Sequence, residues 1–554
     1  MKTTATVFGI ALRNRSLLRL ELAYSAFCAA EWGVWVSLTV YAYARGGATA
    51  AGAIAVVQLV PSVLLAPFIG ALTDRRRAGR VLSAGYLLQA VATGAIALAI
   101  VLDAPTAVVF CLAPLAYLTI AVPRPAQASL LPWVVRSPLE LTAANVVSGW
   151  VASGSALIAP AATGVLIALG GPALSIGVIA MLCLGGAVAV LPLPGPAPAP
   201  GARDRTPLVR QVGAAIRTVS RTPAVRLLVL LLAAQYVLVG ALDILYAVLA
   251  IDVLGLGQSG TGYLNSAFGA GAVIGVSVTA LLVARRRIAP MLTLGIVVAA
   301  LALAVLGVWP TVVGAFLLFA VAGLGRTLFD VTGRILLQRA APPRALAEVF
   351  ALVESLMNVG LCIGVVLVPF LIALSGVRLA LLGTAALFLV LVAATWSKLR
   401  ALDAAADVPQ VEIQLLASIP IFAPLPAPAL EGLARALVPV TAAAGEVIVS
   451  EGEPGDCYFA IADGEVVVSH AAREVARLKR GDGFGEIALL EEVPRTATVV
   501  AVTRAQLYTL EKGPFVFAVT GHPAAERAAG EMVTRRRDEL ASAGPSPLPG
   551  DGVL

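Results

Sequence analysis

Charged residues are scarce in this sequence: 13% of its 554 residues are Asp, Glu, Lys or Arg, whereas 59% are hydrophobic. Soluble domains typically carry about 25% charged residues. This composition is not typical of a set of ordinary soluble domains. Most of it is therefore predicted to lie in lipid.

Histidine and cysteine, two common residues of metal and nucleophilic sites, are also scarce, with two and five copies. The histidines lie outside any apolar pocket signature, and the cysteines form no CxxC pair. We find no nucleophile elbow, Walker loop or metal-ligand spacing in the sequence. The chain is therefore predicted not to be an enzyme and to need neither a metal nor a cofactor.

The net charge of +7 does not require a nucleic-acid partner. The arginines cluster at the ends of apolar runs, where membrane topology explains them. We expect the lipid bilayer, and not nucleic acid, to be the partner of this surface.

Apolar runs of about 20 residues, enough to span a hydrocarbon core of about 30 Å, recur up to residue 400. They predict an all-α membrane bundle of twelve transmembrane helices in two six-helix halves. The candidate helices are 17–43, 49–73, 80–103, 106–130, 140–169, 172–192, 225–251, 261–284, 288–307, 311–337, 346–375 and 378–397.

Changes in composition divide the chain further. A Pro-rich stretch separates the halves, and short alternating strands with Gly/Asp turns near the C-terminus predict a β-roll or jelly-roll domain with flanking helices. The predicted segments are the N-terminal half 1–192, a cytoplasmic middle loop 193–224, the C-terminal half 225–400, a linker 401–414, the C-terminal domain 415–541 and a disordered tail 542–554.

Basic residues alternate between the loops, which is the positive-inside signal. With an even number of helices, this asymmetry predicts that both termini and the middle loop lie in the cytoplasm. Lysine is rare beside arginine and alanine, which is typical of GC-rich bacterial genes, so we expect a multi-pass protein of the cell membrane. The basic loop residues are Arg75, Arg76, Arg77, Arg80, Arg136, Arg203, Arg205, Arg210, Arg217, Arg221, Arg285, Arg286, Arg287, Arg344, Lys398 and Arg400.

Residues 70–80, GALTDRRRAGR, stand between the second and third candidate helices. With this motif, residues 10–400 resemble the major facilitator superfamily of transporters. The resemblance implies that Gly70 permits close helix approach, and that Asp74, Arg75 and Arg80 form a cytoplasmic latch. Arg77 and Ala78 depart from the commonest spacing. The alternative is a loop that is merely basic.

Helix five contains APAATG, which is similar to a degraded antiporter motif that keeps Pro160 and Gly164. The resemblance implies export of a small molecule. Close packing of small residues is the other interpretation.

Two acidic residues, Glu31 and Asp243, fall near the middle of helices one and seven. A carboxylate there costs about 2.5–3.5 kcal/mol in lipid, so each is expected to face the central cavity. They are candidates for proton coupling, with a buried structural pair as the alternative. On helix ten, Arg326, Asp330 and Arg334 share one face and predict an ion network of a latch or gate.

Residues 484–498, FGEIALLEEVPRTAT, form the most specific motif of the chain. Together with residues 415–541 it resembles the cyclic-nucleotide-binding domain of catabolite-activator and cyclic-nucleotide-dependent kinase type. The resemblance implies that the motif is a phosphate-binding cassette and that cAMP or cGMP is the regulatory ligand.

Each cassette residue has an expected role. Gly485 lets the backbone approach the ligand, and the turn from Glu486 through Ile487 and Ala488 presents N–H groups to the cyclic phosphate. Arg495 is expected to bind the phosphate, and Glu486 the ribose 2′-hydroxyl. A hydroxyl at Thr496 leaves cGMP open, although cAMP is favoured. Met532 and Val533 of the last helix are expected to cover the base, and Arg535, Arg536 and Arg537 to form a solvated or lipid-facing surface.

The combined prediction is a secondary transporter, a proton-coupled exporter of small molecules, that a cytoplasmic cyclic nucleotide regulates. The alternative is a membrane-tethered receptor that binds the nucleotide and transports nothing. A C-terminal domain that serves only as a packing module also remains open.

Overall fold

The structure, a computed structural model, describes residues 14–73, 78–119, 123–135, 138–193, 208–282, 289–341, 345–405, 410–471 and 473–542. The chain forms two compact units, Met1–Ala406 and Asp407–Leu554. The first unit is helical, and the second contains all of the described β-strands.

Most helices of the first unit are long and predominantly apolar, as spanning a bilayer requires. Within the described residues, six helical stretches are long and apolar enough to cross a membrane. A membrane-type helical region is thereby confirmed, whereas the count of twelve helices stays a prediction. The helices are α1 Arg15–Thr73, α2 Ala78–Val101, α3 Thr106–Leu118, α4 Pro123–Val134, α5 Pro138–Val190, α6 Leu208–Arg221, α7 Pro223–Val248, α8 Gly257–Leu282, α9 Ala289–Val308, α10 Val312–Ala340 and α11 Leu346–Ala405, with a π-helical turn at Leu249–Val253.

Glycines interrupt the three longest helices. Helix α1 has 59 residues, which at 1.5 Å per residue is about three times the thickness of a hydrocarbon core. Positive φ angles occur at Gly47 (+61°), Gly171 (+70°) and Gly376 (+78°), a conformation that residues with a Cβ atom adopt only at a cost. These breaks fall in the gaps predicted between helices one and two, five and six, and eleven and twelve.

The middle segment differs from its prediction as a loop, because α6 lies within 193–224. Ala215 and Val219 of α6 are buried, whereas Ile216 and Arg217 are exposed. The helix is amphipathic. It was not predicted because its arginines interrupt the apolar pattern on which the prediction of helices relied. The predicted linker 401–414 also begins as helix, because α11 continues through Ala405. Residues 543–554 of the predicted disordered tail lie outside the described residues.

Within the first unit, the N-terminal and C-terminal halves meet closely along α5 and α8. A Cβ at Gly164 would lie 2.8 Å from the carbonyl oxygen of Ser259, and a Cβ at Gly262 would lie 2.8 Å from the nitrogen of Gly164. Beside this contact, the Tyr43 hydroxyl donates to the Asp252 carboxylate. All of these residues lie near the Gly46–Gly47 and Gly170–Gly171 breaks. The halves therefore touch at that end of the bundle.

The second unit begins with two helices and continues as a β-roll. Two four-stranded antiparallel sheets have the orders β1-β8-β3-β6 and β2-β7-β4-β5, which confirms the predicted β domain. Its elements are α12 Gln410–Ser418, α13 Ala427–Ala436, β1 Val438–Ala442, β2 Val447–Val449, β3 Cys457–Asp463, β4 Glu465–His470, β5 Arg473–Lys479, β6 Gly483–Phe484, α14 Glu486–Glu491, β7 Thr498–Ala501, β8 Ala505–Glu511, α15 Lys512–Thr520 and α16 Pro523–Ser542.

Two apolar cores hold this unit together. The inner faces of the sheets bury residues such as Ile461 and Leu507. A second core joins the leading and trailing helices around three aromatic rings. Phe422 meets Tyr458 edge-on at 5.3 Å between ring centroids, and Tyr458 stacks on Phe515 at 4.9 Å. This second core ties the start of the domain to strand β3.

The close contact between α5 and α8 makes a testable prediction. We expect Gly262→Ala to destabilise the protein by about 1–3 kcal/mol, because the new methyl group meets backbone atoms of Pro160 and Gly164 that have no rotamer to change. Thermal unfolding of the purified protein in detergent measures the effect.

Gly154→Ala is the matched control in α5. A Cβ at Gly154 meets nothing within 4 Å, so this change is expected to be neutral or to stabilise the helix by up to about 1 kcal/mol. Equal shifts in melting temperature for the two variants would show that the glycine contact is unimportant.

Candidate functional site

The predicted cassette begins where strand β6 meets helix α14. Between them stands Gly485 with a φ angle of +100°, a conformation that disfavours any side chain. A Cβ there would lie 2.6 Å from Nη1 of Arg495 and 2.9 Å from the carbonyl oxygen of Cys457. Glycine therefore lets the turn pass this close to the arginine.

Arg495 precedes strand β7 and is 6% exposed. Its Nη2 donates to the carbonyl oxygen of Cys457 at 2.9 Å, whereas its buried Nη1 has no acceptor among the described residues. Burial lowers the pKa of Arg495, and the carboxylates of Asp456 and Glu486 act in the opposite direction. The guanidinium group is held in place with one donor unused.

Glu486, the first residue of α14, is only 1% exposed. Its Oε1 accepts a hydrogen bond of 2.7 Å from Nη1 of Arg536, and its buried Oε2 has no partner among the described residues. Nη2 of Arg536 also donates to the carbonyl oxygen of Gly483 at 2.7 Å. Burial alone would lower the pKa of Arg536, but Glu486, Tyr458 and Asp482 together outweigh it, so that the pKa is raised.

Two of the buried atoms without a partner among the described residues, Arg495 Nη1 and Glu486 Oε2, carry charge and indicate what a ligand would have to supply. The free Nη1 of Arg495 requires an acceptor, and because the group is cationic an anionic oxygen suits it best. The free Oε2 of Glu486 requires a donor, such as a hydroxyl group. Unsatisfied buried polar atoms cost about 1–3 kcal/mol each, so a ligand that supplies both groups is favoured.

The other predicted cassette residues lie close by. Ile487 and Ala488 form the first turn of α14 and are buried. Thr496 is half-buried, and its carbonyl oxygen lies 3.1 Å from Nδ1 of His470. The same His470 nitrogen lies 3.1 Å from the Glu451 carboxylate. This contact fixes the backbone that follows Arg495.

Arg536 contacts the candidate site, whereas the sequence prediction placed it on a solvated or lipid-facing surface. Its side chain is 16% exposed and pairs with Glu486, whereas the side chain of its neighbour Arg537 is 62% exposed. The signal was helical spacing, because Ala529 and Met532 are buried on the same face of α16. A charged residue that continues an apolar face is expected to have a buried partner.

In the first unit, Asp330 of α10 binds two partners. Its Oδ2 accepts from Arg334 at 3.1 Å, and its Oδ1 accepts from the amide of Gln235 at 2.6 Å. Arg334 also pairs with Glu354 of α11 at 3.0 Å. Arg326, on the same face, instead donates to the hydroxyl of Tyr236 at 3.1 Å.

The two carboxylic acids predicted for the cavity have different surroundings. Asp243 of α7 is half-buried, accepts a hydrogen bond from the indole of Trp35 and feels the charge of Arg326. Glu31 of α1 is also half-buried. The sequence prediction missed a further acid, Glu21, which is 6% exposed and accepts a 2.6 Å hydrogen bond from Ser148.

Comparison with known proteins matches two families. A family model described as "Major Facilitator Superfamily" matches residues 20–325, more than half of the chain. A second model, described as "Cyclic nucleotide-binding domain", matches residues 439–519. The chain belongs to the major facilitator superfamily. It carries in addition a C-terminal cyclic nucleotide-binding domain. Neither description is that of an enzyme family.

Individual relatives match over shorter stretches. A cAMP-dependent protein kinase regulatory subunit of Yarrowia lipolytica is 39% identical over 102 residues, which are 18% of this chain and 27% of that protein. A cyclic nucleotide-gated potassium channel of Mesorhizobium japonicum is 37% identical over 130 residues, 24% of this chain and 36% of the channel. The chain thus covers about a third or less of these relatives' lengths.

Among solved structures, one described as Sp-2Cl-cAMPS bound to PKAR CBD2 is similar to this chain. Its sequence is 28% identical, and the match covers 26% of this chain and 94% of that one with a TM-score of 0.24.

The superfamily latch is described in part. Gly70 lies within α1, and Arg80 is exposed in α2. Asp74 and Arg75 lie outside the described residues. The latch therefore stays a prediction for this member of the superfamily.

The buried pair between Glu486 and Arg536 makes a second testable prediction. We expect Arg536→Met to destabilise the C-terminal domain by about 3–5 kcal/mol, because it leaves the Glu486 charge buried without its partner. Hydrogen exchange of α16 in the full-length protein measures the loss as faster exchange.

Arg537→Met is the matched control on the same helix. The Arg537 side chain pairs with Glu491 at the surface, so its loss is expected to cost no more than about 1 kcal/mol. If both variants accelerate exchange equally, the Glu486 pair does not anchor α16.

Proposed function

We propose that the protein is a secondary active transporter, a proton-coupled exporter of small molecules, and that binding of a cytoplasmic cyclic nucleotide regulates it. The bundle has twelve spans in two six-helix halves and lies in the cell membrane, with both termini in the cytoplasm. The observation that carries the regulatory part is the pair of unused buried atoms, Arg495 Nη1 and Glu486 Oε2. Membership of the transporter superfamily carries the rest.

A cyclic nucleotide supplies the two groups that these atoms require. Its phosphate offers an anionic oxygen to Arg495, and its ribose 2′-hydroxyl offers a donor to Glu486. A 2′-deoxyribose lacks that donor and leaves Oε2 unsatisfied. The site is therefore expected to discriminate against deoxynucleotides.

The choice between cAMP and cGMP rests on the names of the relatives and on Thr496. We favour cAMP because several relatives are named cAMP-dependent kinase subunits. Others are named cGMP-dependent kinases, and the half-buried Thr496 provides a hydroxyl that suits guanine.

Proton coupling is assigned to Asp243. A charged acid in the middle of a membrane helix is costly, so such residues usually face the bundle interior and mark a substrate or proton pathway. Asp243 has an aromatic donor and a nearby arginine, but it has no direct ion pair among the described contacts. It can therefore exchange its proton without breaking a salt bridge.

Regulation requires that the nucleotide distinguish the states of the transporter. A ligand with equal affinity for both states shifts nothing. We expect a coupling free energy of about 1–3 kcal/mol, typical of allosteric proteins.

Calorimetric titration of the full-length protein in detergent tests the nucleotide site. We expect cAMP to bind and 2′-deoxy-cAMP to bind about ten times more weakly, because one hydrogen bond to a charged group is lost. Arg495→Gln is expected to weaken cAMP binding by about 10- to 150-fold for the same reason.

Arg504→Gln, at an exposed turn before β8, is the control and should leave cAMP affinity unchanged. Absence of heat with both cAMP and cGMP would reduce the domain to a packing module and refute the regulatory part of the proposal.

Proton flux tests the transport function. In proteoliposomes with an imposed pH gradient, transported compounds should dissipate the gradient, and Asp243→Asn should abolish this effect because the asparagine amide does not exchange a proton at these pH values. Asp103→Asn, at a residue whose side chain is 92% exposed, is the control.

The other candidate function is a membrane-tethered cyclic-nucleotide receptor without transport. Nucleotide binding with no flux of any tested compound, and no difference between wild type and Asp243→Asn, would favour it.

A further inference from the structure

Helix α6 lies next to the start of a membrane-spanning helix. It ends at Arg221, and α7 begins at Pro223. The stretch Pro223–Val253 is long and apolar enough to cross a membrane. Arg226, in the first turn of α7, therefore lies where the hydrocarbon core of a bilayer meets the lipid headgroups.

The packing of α6 leaves one of its faces open. Ala215 and Val219 are buried, and the helix packs against α11 and α7. Side chains three or four residues apart share a face of a helix. The opposite face, which we call the basic face, is exposed and carries Ile216, Arg217, Ser220 and Arg221.

Three arginines converge on the basic face. Arg217 and Arg221 lie one turn apart on α6. The exposed Arg226 reaches back from α7, where its Nη1 donates to the carbonyl oxygen of Ser220 at 3.5 Å. Because Ser220 stands between the other two arginines, the three positive charges are neighbours.

No acid neutralises these charges. In the sequence, neither Asp nor Glu occurs between Asp204 and Asp243. In the part of the chain that the structure describes, none of the three arginines forms an ion pair. Like charges one turn apart destabilise a helix, so an anion that binds among the arginines is favoured.

Apolar side chains indicate that this anion is a lipid. Ile216 is 52% exposed beside Arg217, and Leu230, one turn beyond Arg226 on α7, is 57% exposed. A soluble phosphate gains nothing from such side chains, whereas acyl chains bury them. Helices that lie in a membrane interface combine basic residues with apolar side chains in the same way.

We propose that the basic face binds an anionic phospholipid. The headgroup phosphate lies among Arg217, Arg221 and Arg226, since guanidinium groups bind phosphate oxygens in bidentate geometry. The acyl chains follow Leu230 toward the bilayer interior. Because α6 packs against two helices of the C-terminal half, bound lipid stabilises that half. This inference depends neither on the transported compound nor on the nucleotide.

Fluorescence anisotropy with acyl-chain-labelled lipids measures this binding on the full-length protein in a neutral detergent. We expect phosphatidylglycerol to bind at least about tenfold more tightly than phosphatidylcholine, because each arginine near an anionic headgroup contributes a factor of about five. Raising the salt concentration to about 1 M should remove this preference, because the Debye length falls to about 3 Å.

Charge removal assigns the lipid to the basic face. The combined variant Arg217→Gln, Arg221→Gln and Arg226→Gln should bind phosphatidylglycerol about 10- to 100-fold more weakly. Its binding of phosphatidylcholine should not change. Lysine at the same three positions keeps the charges, so that variant should retain most of the affinity, which guards against a simple folding defect.

The matched control removes three exposed positive charges from the C-terminal domain in one variant, Arg480→Gln, Arg504→Gln and Arg527→Gln. It should bind phosphatidylglycerol as the wild type does. Equal weakening by both combined variants would show that overall charge, and not the basic face, attracts the lipid, and the proposal would fall.

Two soluble competitors separate the lipid from other anions. Glycerol 1-phosphate carries the headgroup phosphate without acyl chains, and an oligoglutamate peptide imitates an acidic protein segment. Neither should displace phosphatidylglycerol at equal concentration. Displacement by glycerol 1-phosphate would assign the basic face to a soluble phosphate, and displacement by the peptide would assign it to a protein partner. Either result overturns the proposal, as does equal binding of the two lipids.

Discussion

Charged groups that leave water need partners inside the protein, and both units of this chain remove charges from water. Glu486 and Arg536 meet this need in the C-terminal domain, and Asp330 and Arg334 meet it in the bundle. Among the described residues, a buried donor nitrogen without an acceptor remains in each unit, at Arg495 and Arg326 respectively. The proposed nucleotide site depends on the unpaired nitrogen of Arg495, because a network whose hydrogen bonds are all made has no donor left for a ligand.

The Glu486 carboxylate links the nucleotide site to the rest of its domain. One oxygen accepts a hydrogen bond from Arg536 of α16, and the other has no partner in the part of the chain that the structure describes. Helix α16 packs through Met532 into the core that also contains Phe422, from the segment between α12 and α13. A ligand that changes the charge distribution on Glu486 therefore acts on a side chain of the last helix and, through a shared core, on the start of the domain.

The sequence was sufficient for features that local chemistry determines. The gaps between apolar runs predicted the positions of the glycine breaks. The cassette motif identified Gly485, Glu486 and Arg495 directly. It was insufficient where a partner is distant in sequence: Arg536 lies 50 residues from Glu486. Helix α6 was missed because its arginines interrupt the apolar runs from which the helices were predicted. Gln235 was overlooked because an uncharged amide in an apolar run gives no charge signal.

If the nucleotide regulates the bundle, the state of the bundle must also affect the binding of the nucleotide. If the nucleotide favours one state of the bundle, then anything that favours the same state must raise nucleotide affinity by the same factor. If protonation of Asp243 and binding of substrate favour different states of the bundle, they change the affinity for the nucleotide in opposite directions. In that case the affinity of the C-terminal domain for the nucleotide depends on the proton and substrate concentrations at the membrane. In such a transporter, bound substrate and protons change the binding of the nucleotide, just as the nucleotide changes transport.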